Sequence, residues 1–235
     1  MCGRFTLRTP ASIVAEQFSL FALPQFPARY NIVPSQPVPV VRLGSDPSRP
    51  QREFVLLHWG LVPSWAKDAA IGNRLTNARA ETAVDKPSFR AAFKRRRCLI
   101  VADGFYEWQR ITKRPQPFYI HRKDDRPFAM AGLWESWEGA GHDYLESCTI
   151  ITTEANDLMR PIHDRIPVIL DPADYGTWLD PAIENGERIT GLLHANDGTD
   201  WEAYPVSTAV NNPRNEGPEL IERHAPPAAE RTLFD

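Results

Sequence analysis

The sequence is poor in the residues that build covalent frameworks and cofactor sites. Only three of its 235 residues are cysteine (Cys2, Cys98 and Cys148), with no Cys-x-x-Cys spacing and no partnering histidine pattern. Neither a disulfide framework nor a metal site is expected from an odd, scattered set. None of its 13 glycines belongs to a phosphate-cradling loop or a Gly-x-Ser-x-Gly elbow, so no nucleotide cofactor is indicated. No apolar run is long enough to span a bilayer and no signal-peptide core follows Met1. The expectation is a cytoplasmic protein with no membrane partner. Excess positive charge is also missing, the net charge being −3. Five of the 30 acidic groups but only two of the 27 basic ones fall in residues 216–235. The rest of the chain is therefore balanced and free to present a local basic face.

Proline, by contrast, is plentiful at 22 residues, which predicts strands and loops with few, short helices. Strands are expected at 4–7, 37–43, 52–59, 98–102, 117–121, 127–133, 146–152, 167–170 and 201–206. Thr9-Pro10 reads as the N-cap and first residue of a helix over 11–20. Further short helices are expected over 88–95, 155–160, 171–179 and 187–195. Asp103-Gly104 reads as a turn that sends a returning strand back from 105. With no internal repeat and no linker, the expectation is a single mixed α+β domain over residues 2–222. A disordered Ala/Pro/Glu-rich tail follows at 223–235.

The chemistry concentrates at Cys2. If Met1 is trimmed, Cys2 carries an α-amine and a thiol on adjacent carbons. The amine, with a reference pKa of roughly 7.7–8.0, is partly neutral near pH 7. Amine and thiol together can attack one carbonyl carbon, first as an imine and then as a thiazolidine ring. The same cysteine could instead act as an N-terminal nucleophile on an amide, or pack passively as a small hydrophobe.

Other candidates each have an ordinary structural alternative. Glu107 lies among Phe105, Tyr106 and Trp108. An apolar setting would raise its pKa and suit it to proton transfer, whereas strict alternation would turn it to water. His163, in the loop 162–165, suits acid–base work on an oxygen, or is a surface histidine. Asn77 and Arg79 share one side of an extended segment, or serve a turn. Arg4, Arg79, Arg165 and the basic run 94–97 are candidate phosphate contacts, with Trp65 and Phe5 as stacking platforms for bases. The run at 94–97 also suits a solvated helix end. The tryptophans 59, 134, 137, 178 and 201 are assigned to structural roles.

Six stretches in register resemble one family: Met1-Cys2-Gly3-Arg4-Phe5, Arg29-Tyr30-Asn31-Ile32-Val33-Pro34, Trp59-Gly60-Leu61-Val62-Pro63-Ser64-Trp65, Asn77-Ala78-Arg79-Ala80-Glu81-Thr82, Ala102-Asp103-Gly104-Phe105-Tyr106-Glu107-Trp108 and Ile162-His163-Asp164-Arg165-Ile166-Pro167. The late 205–211 stretch is similar too. Together they resemble the SOS response-associated peptidase (SRAP) family of abasic-site processing proteins, over residues 2–221.

That resemblance implies a strongly bent sheet or barrel with peripheral helices. It also implies trimming of Met1 and a covalent trap for abasic sites in single-stranded DNA, through a thiazolidine at Cys2. Asn77, Glu107 and His163 would be the catalytic partners of Cys2. Arg4, Arg79 and Arg165 would contact DNA, and Trp65 would wedge at the lesion, where many relatives carry two adjacent aromatics and this chain has Trp65-Ala66. Autoproteolysis of the Met1–Cys2 bond and a β-lyase side reaction are implied as well. A protein working on DNA in this way would associate with the nucleoid, and a monomer is the default. Two rivals remain: a thiol peptidase acting on other proteins, and a non-enzymatic single-strand-binding module.

Overall fold

The computed structural model describes residues 2–44, 51–109, 115–184 and 186–224. Among these residues thirteen strands run in chain order: β1 (Phe5–Leu7), β2 (Arg29–Ile32), β3 (Pro37–Leu43), β4 (Arg52–Trp59), β5 (Asn77–Arg79), β6 (Arg97–Ala102), β7 (Gly104–Gln109), β8 (Gln116–Arg122), β9 (Phe128–Glu138), β10 (Tyr144–Glu154), β11 (Arg165–Pro167), β12 (Ile169–Leu170) and β13 (Trp201–Pro205). Among the described residues five short α-helices accompany them: α1 (Ala11–Gln17), α2 (Ala80–Ala83), α3 (Arg90–Arg95), α4 (Tyr175–Leu179) and α5 (Gly186–Thr190). Among the described residues no helix is long and apolar enough to cross a membrane.

Five strands close a barrel. β3 pairs antiparallel with β4 and β6, β6 with β9, and β9 with β10. The ring shuts through a two-residue parallel contact in which Ser147 and Cys148 of β10 face His58 and Trp59 of β4. Strands β5, β11 and β12 extend this sheet. A second, five-stranded sheet has the order β13-β8-β7-β1-β2.

Local sequence explains much of this. β3 is rich in β-branched valine, and Pro37 and Pro39 are tolerated because β6 pairs only at Val40 and Val41. The prolines thus fall where one edge needs no donor. Every residue of β6 is buried, since Trp178 of α4 covers it and donates its indole N–H to the Cys98 carbonyl at 2.9 Å.

Several expectations need correction. The chain does not fold back at Asp103-Gly104: β7 leaves β6 and pairs with β1 and β8 in the other sheet. Gly104 permits the crossing, because a Cβ there would meet the Tyr119 hydroxyl at 2.0 Å. Thr9 caps no helix; its hydroxyl donates to buried Asp103 at 2.9 Å, and Pro10 takes the cap position. The first helix ends at Gln17, with Ser19 just beyond it in the left-handed region at φ 54°. Residues 157–162 form turns rather than a helix, with the Asn156 side chain accepting from the Met159 N–H. The strand expected at 167–170 is two, β11 and β12. Of the expected tail, Arg223 bridges to Val206 and the His224 N–H bonds the Pro205 carbonyl; residues 225–235 lie outside the described residues.

Candidate active site

The site forms where the β1–β7 pair, in the interior of the five-stranded sheet, meets β5 and the turn from β10 to β11. The Tyr106 N–H bonds the Arg4 carbonyl at 2.9 Å, and Phe5 pairs with Phe105. This register delivers Cys2 to the neighbourhood of Glu107. From the other side, β5 lies parallel to β10 with Asn77 opposite Ile150, and the Asn77 amide donates to the Cys2 carbonyl at 2.9 Å. The turn from β10 to β11 carries His163 and is pinned by a 3.0 Å bond from the Ala155 N–H to the Asp164 carbonyl. Cys2, Asn77, Glu107 and His163, widely separated in sequence, thus come from elements that converge.

Burial sets the electrostatics. Cys2 is fully buried; desolvation raises its thiol pKa, the Glu107 charge raises it further, and the Arg4 N–H works against both. Glu107 is 2% exposed, which decides between its two readings: it faces inward. Burial pushes its carboxyl up to about 7, assisted by the charge of Asp164, so it exchanges a proton near neutral pH. The Asn77 amide oxygen is buried without a hydrogen-bond partner among the described residues. It stands as a spare acceptor beside the Cys2 backbone.

His163 is mostly buried. Its Nδ1 accepts the Arg165 N–H at 3.0 Å, which in the neutral ring leaves the proton on Nε2. The Asp164 carboxylate lies 2.9 Å from the same Nδ1, an arrangement that suits the imidazolium. The loop therefore has a partner ready for each protonation state.

The arginines differ among themselves. Arg79 is exposed. Arg4 donates to the Asn31 side chain at 2.9 Å and to the Val210 carbonyl, with its guanidinium 5.5 Å from the centre of Trp108. Asn31 in turn donates to the carbonyls of Asn212 and Asn215, and Trp108 donates to Asn211 at 2.7 Å. The 29–34 and 205–211 stretches thus share the task of orienting Arg4. Arg165 departs from the expectation of an open phosphate contact: its fork is held by Glu81 at 2.7 and 3.0 Å.

Phe5 is a correction. It is fully buried, 5.2 Å from the ring of Trp59, so no base reaches it; β1 is paired on both sides and all three of its residues are buried. Trp65 is 59% exposed and available for stacking. The run 94–97 offers little free charge, since Arg96 pairs with Glu135, Arg95 with Glu184, and Arg97 is buried against backbone carbonyls. Asp164, Trp108, Asn31 and Glu81 were not singled out by sequence; each lies in a recognised stretch, adjacent to or near a residue that was. A surface groove of about 630 Å³ between residues 20–25 and 51–56 contains none of the candidate residues. Among the described residues, no group of three His, Cys, Asp or Glu is placed to hold a metal ion.

The sequence and the fold match a known family. Residues 1–213 match the SOS response associated peptidase (SRAP) family, and the chain belongs to it. It is 44% identical over 229 residues to the abasic site processing protein YoqW of Bacillus subtilis (strain 168), covering 95% of this chain and all of that one. It is 41% identical to the abasic site processing protein YoaM of the same organism, covering 94% and 98%. A crystal structure of a protein from Bacteroides thetaiotaomicron superposes with a TM-score of 0.84 at 26% identity, over 95% of this chain and all of that one.

Proposed function

We propose that the protein traps abasic sites in single-stranded DNA by forming a thiazolidine crosslink at Cys2 once Met1 is removed. The observation that carries this reading is the buried pair at the N-terminus: Asn77 fixes the Cys2 carbonyl at 2.9 Å, next to a carboxyl poised at about 7. A passive binding module has no use for such a carboxyl beside a cysteine. The relatives named for abasic-site processing support the choice of substrate.

In the first step the Met1–Cys2 bond is hydrolysed with one water, freeing methionine and the α-amine. His163 assists opening of the deoxyribose hemiacetal, moving a proton from the C1′ hydroxyl toward the ring oxygen and exposing the aldehyde. The amine adds to C1′, and Glu107 protonates the departing hydroxyl, so one water leaves and an imine forms. The thiol then adds across the C=N bond, sulfur to carbon and its proton to nitrogen, closing the five-membered ring. A raised thiol pKa favours this order, with the amine adding first and the sulfur following, its proton passing to the imine nitrogen as it attacks. Asn77 steadies the cysteine and offers its spare oxygen to the reacting N–H. If ring closure is slow, the imine acidifies C2′ and opens a β-elimination exit, which is the lyase side reaction. Arg4, Arg79 and Arg165 hold phosphates, and Trp65 stacks at the lesion.

The test is a denaturing gel of protein incubated with a single-stranded oligonucleotide carrying one abasic site, beside the same oligonucleotide after borohydride reduction. A retarded band with the aldehyde alone supports the reading. Equal behaviour with both substrates, or adducts retained by Cys2→Ala, would sink it. Cleavage of an unrelated peptide in place of crosslinking would move the assignment to a thiol peptidase.

A further inference from the structure

The guanidinium fork of Arg165 is already filled, by a partner that is itself half in solvent. Nη1 and Nη2 donate to the two oxygens of Glu81 at 2.7 and 3.0 Å, and Nη2 also donates to the Thr152 carbonyl at 2.6 Å. The arginine side chain is 11% exposed and the glutamate 46%, so the carboxylate is the outward member. Exposed Arg79 is near enough that it, after Arg165, helps hold the Glu81 carboxyl below its usual range. The carboxylate therefore sits within the field of both arginines.

A planar guanidinium fork accepts a carboxylate and a phosphodiester in the same two-point geometry. We propose that Glu81 is the resident occupant of a phosphodiester site made by Arg165 and Arg79, and that a backbone phosphate of an arriving strand exchanges with it. The inference rests on the reading that the protein binds a DNA strand. Thr152 makes the exchange workable: its carbonyl keeps the guanidinium aimed when Glu81 swings out. The exposed half of the pair is the half that leaves, and partly solvated ion pairs hold their partners weakly. Glu81 thereby discriminates. A small anion must compete with a tethered carboxylate, whereas a strand that also reaches Arg4 and Arg79 has other contacts to draw on.

The experiment is fluorescence anisotropy with an intact single-stranded oligonucleotide, which isolates non-covalent binding, over a salt series. The proteins are wild type, Glu81→Gln, Glu81→Asp, Arg165→Gln and the Glu81→Gln/Arg165→Gln pair, each checked for folding by its melting transition. Removing the competing charge should tighten binding at low salt by roughly three- to tenfold and steepen the salt slope by about 0.7. Glu81→Asp, still anionic, should return toward wild type, and the gain should vanish when Arg165 is also replaced. If Glu81→Gln weakens binding, as Arg165→Gln does, Glu81 merely positions the arginine and the exchange is refuted. If all five proteins, including wild type, fail to bind DNA, the strand-binding reading falls and the exchange falls with it.

Discussion

Replacing Glu107 by Gln removes a buried ionisable group while keeping its shape, and the consequence for stability can be worked out from the site. The carboxyl moves from an ordinary value of 4.5 to about 7, chiefly through burial. Below pH about 4.5 the group is protonated in both folded and unfolded chains and has no pH-dependent effect. Between 4.5 and 7 the unfolded chain has released the proton and the folded chain still binds it. Folding stability then falls as pH rises, by about 1.4 kcal/mol per pH unit. Above 7 both forms are ionised and the loss levels off at about 3 kcal/mol. Glu107→Gln has no such slope. Relative to its own offset at pH 4.5, it should gain about 3 kcal/mol over wild type by pH 8, measured by urea unfolding at both pH values. The variant should also crosslink about 10²–10⁴ times more slowly, having lost its proton donor. A stability difference that is the same at both pH values would show that Glu107 titrates as a surface carboxyl, and the acid–base role would go with it.

Two further outcomes follow from packing. Arg97→Met removes donors from the carbonyls of Phe93, Lys94, Trp178, Asp180 and Ile183, and should lower unfolding free energy by about 3–5 kcal/mol in a denaturant titration; a change under about 1 kcal/mol would mean that water satisfies those groups. Trp65→Ala, at an exposed position whose indole N–H donates to the Pro87 carbonyl at 3.3 Å, should leave stability within about 0.5 kcal/mol. It should weaken single-strand affinity by about 1–3 kcal/mol, and unchanged affinity would remove Trp65 from the interface.

Much of the candidate site was legible because its residues sit in short stretches whose order is distinctive. Cys2, Asn77, Glu107 and His163 all come from such stretches, and the β1–β7 and β5–β10 pairings bring their elements together. What stayed hidden depends on contacts between segments far apart in sequence. Three residues of β1 are too few for a period to show that Phe5 faces inward. Alternation could not place Glu107, because β7 is paired on both sides and its first four residues are all buried. The 94–97 run reads as a charged surface from composition alone, yet carbonyls from α3, α4 and the chain after it converge on Arg97. Barrel closure rests on Ser147 and Cys148 meeting His58 and Trp59, a parallel contact that no local pattern announces. The strand boundaries fared well where a strand runs into glycine, as β3 does at Gly44 and β4 at Gly60. They fared less well in β9 and β10, whose partly exposed ends extend beyond the apolar cores expected from sequence.

The most direct measurement of the central claim is intact-mass spectrometry of the purified protein, alone and after incubation with a single-stranded oligonucleotide bearing one abasic site. The account predicts a protein lacking Met1 and a heat-stable species heavier by the oligonucleotide less one water, absent in Cys2→Ala. A trimmed protein that acquires no oligonucleotide mass, or a protein that keeps Met1 and still forms the adduct, would contradict it.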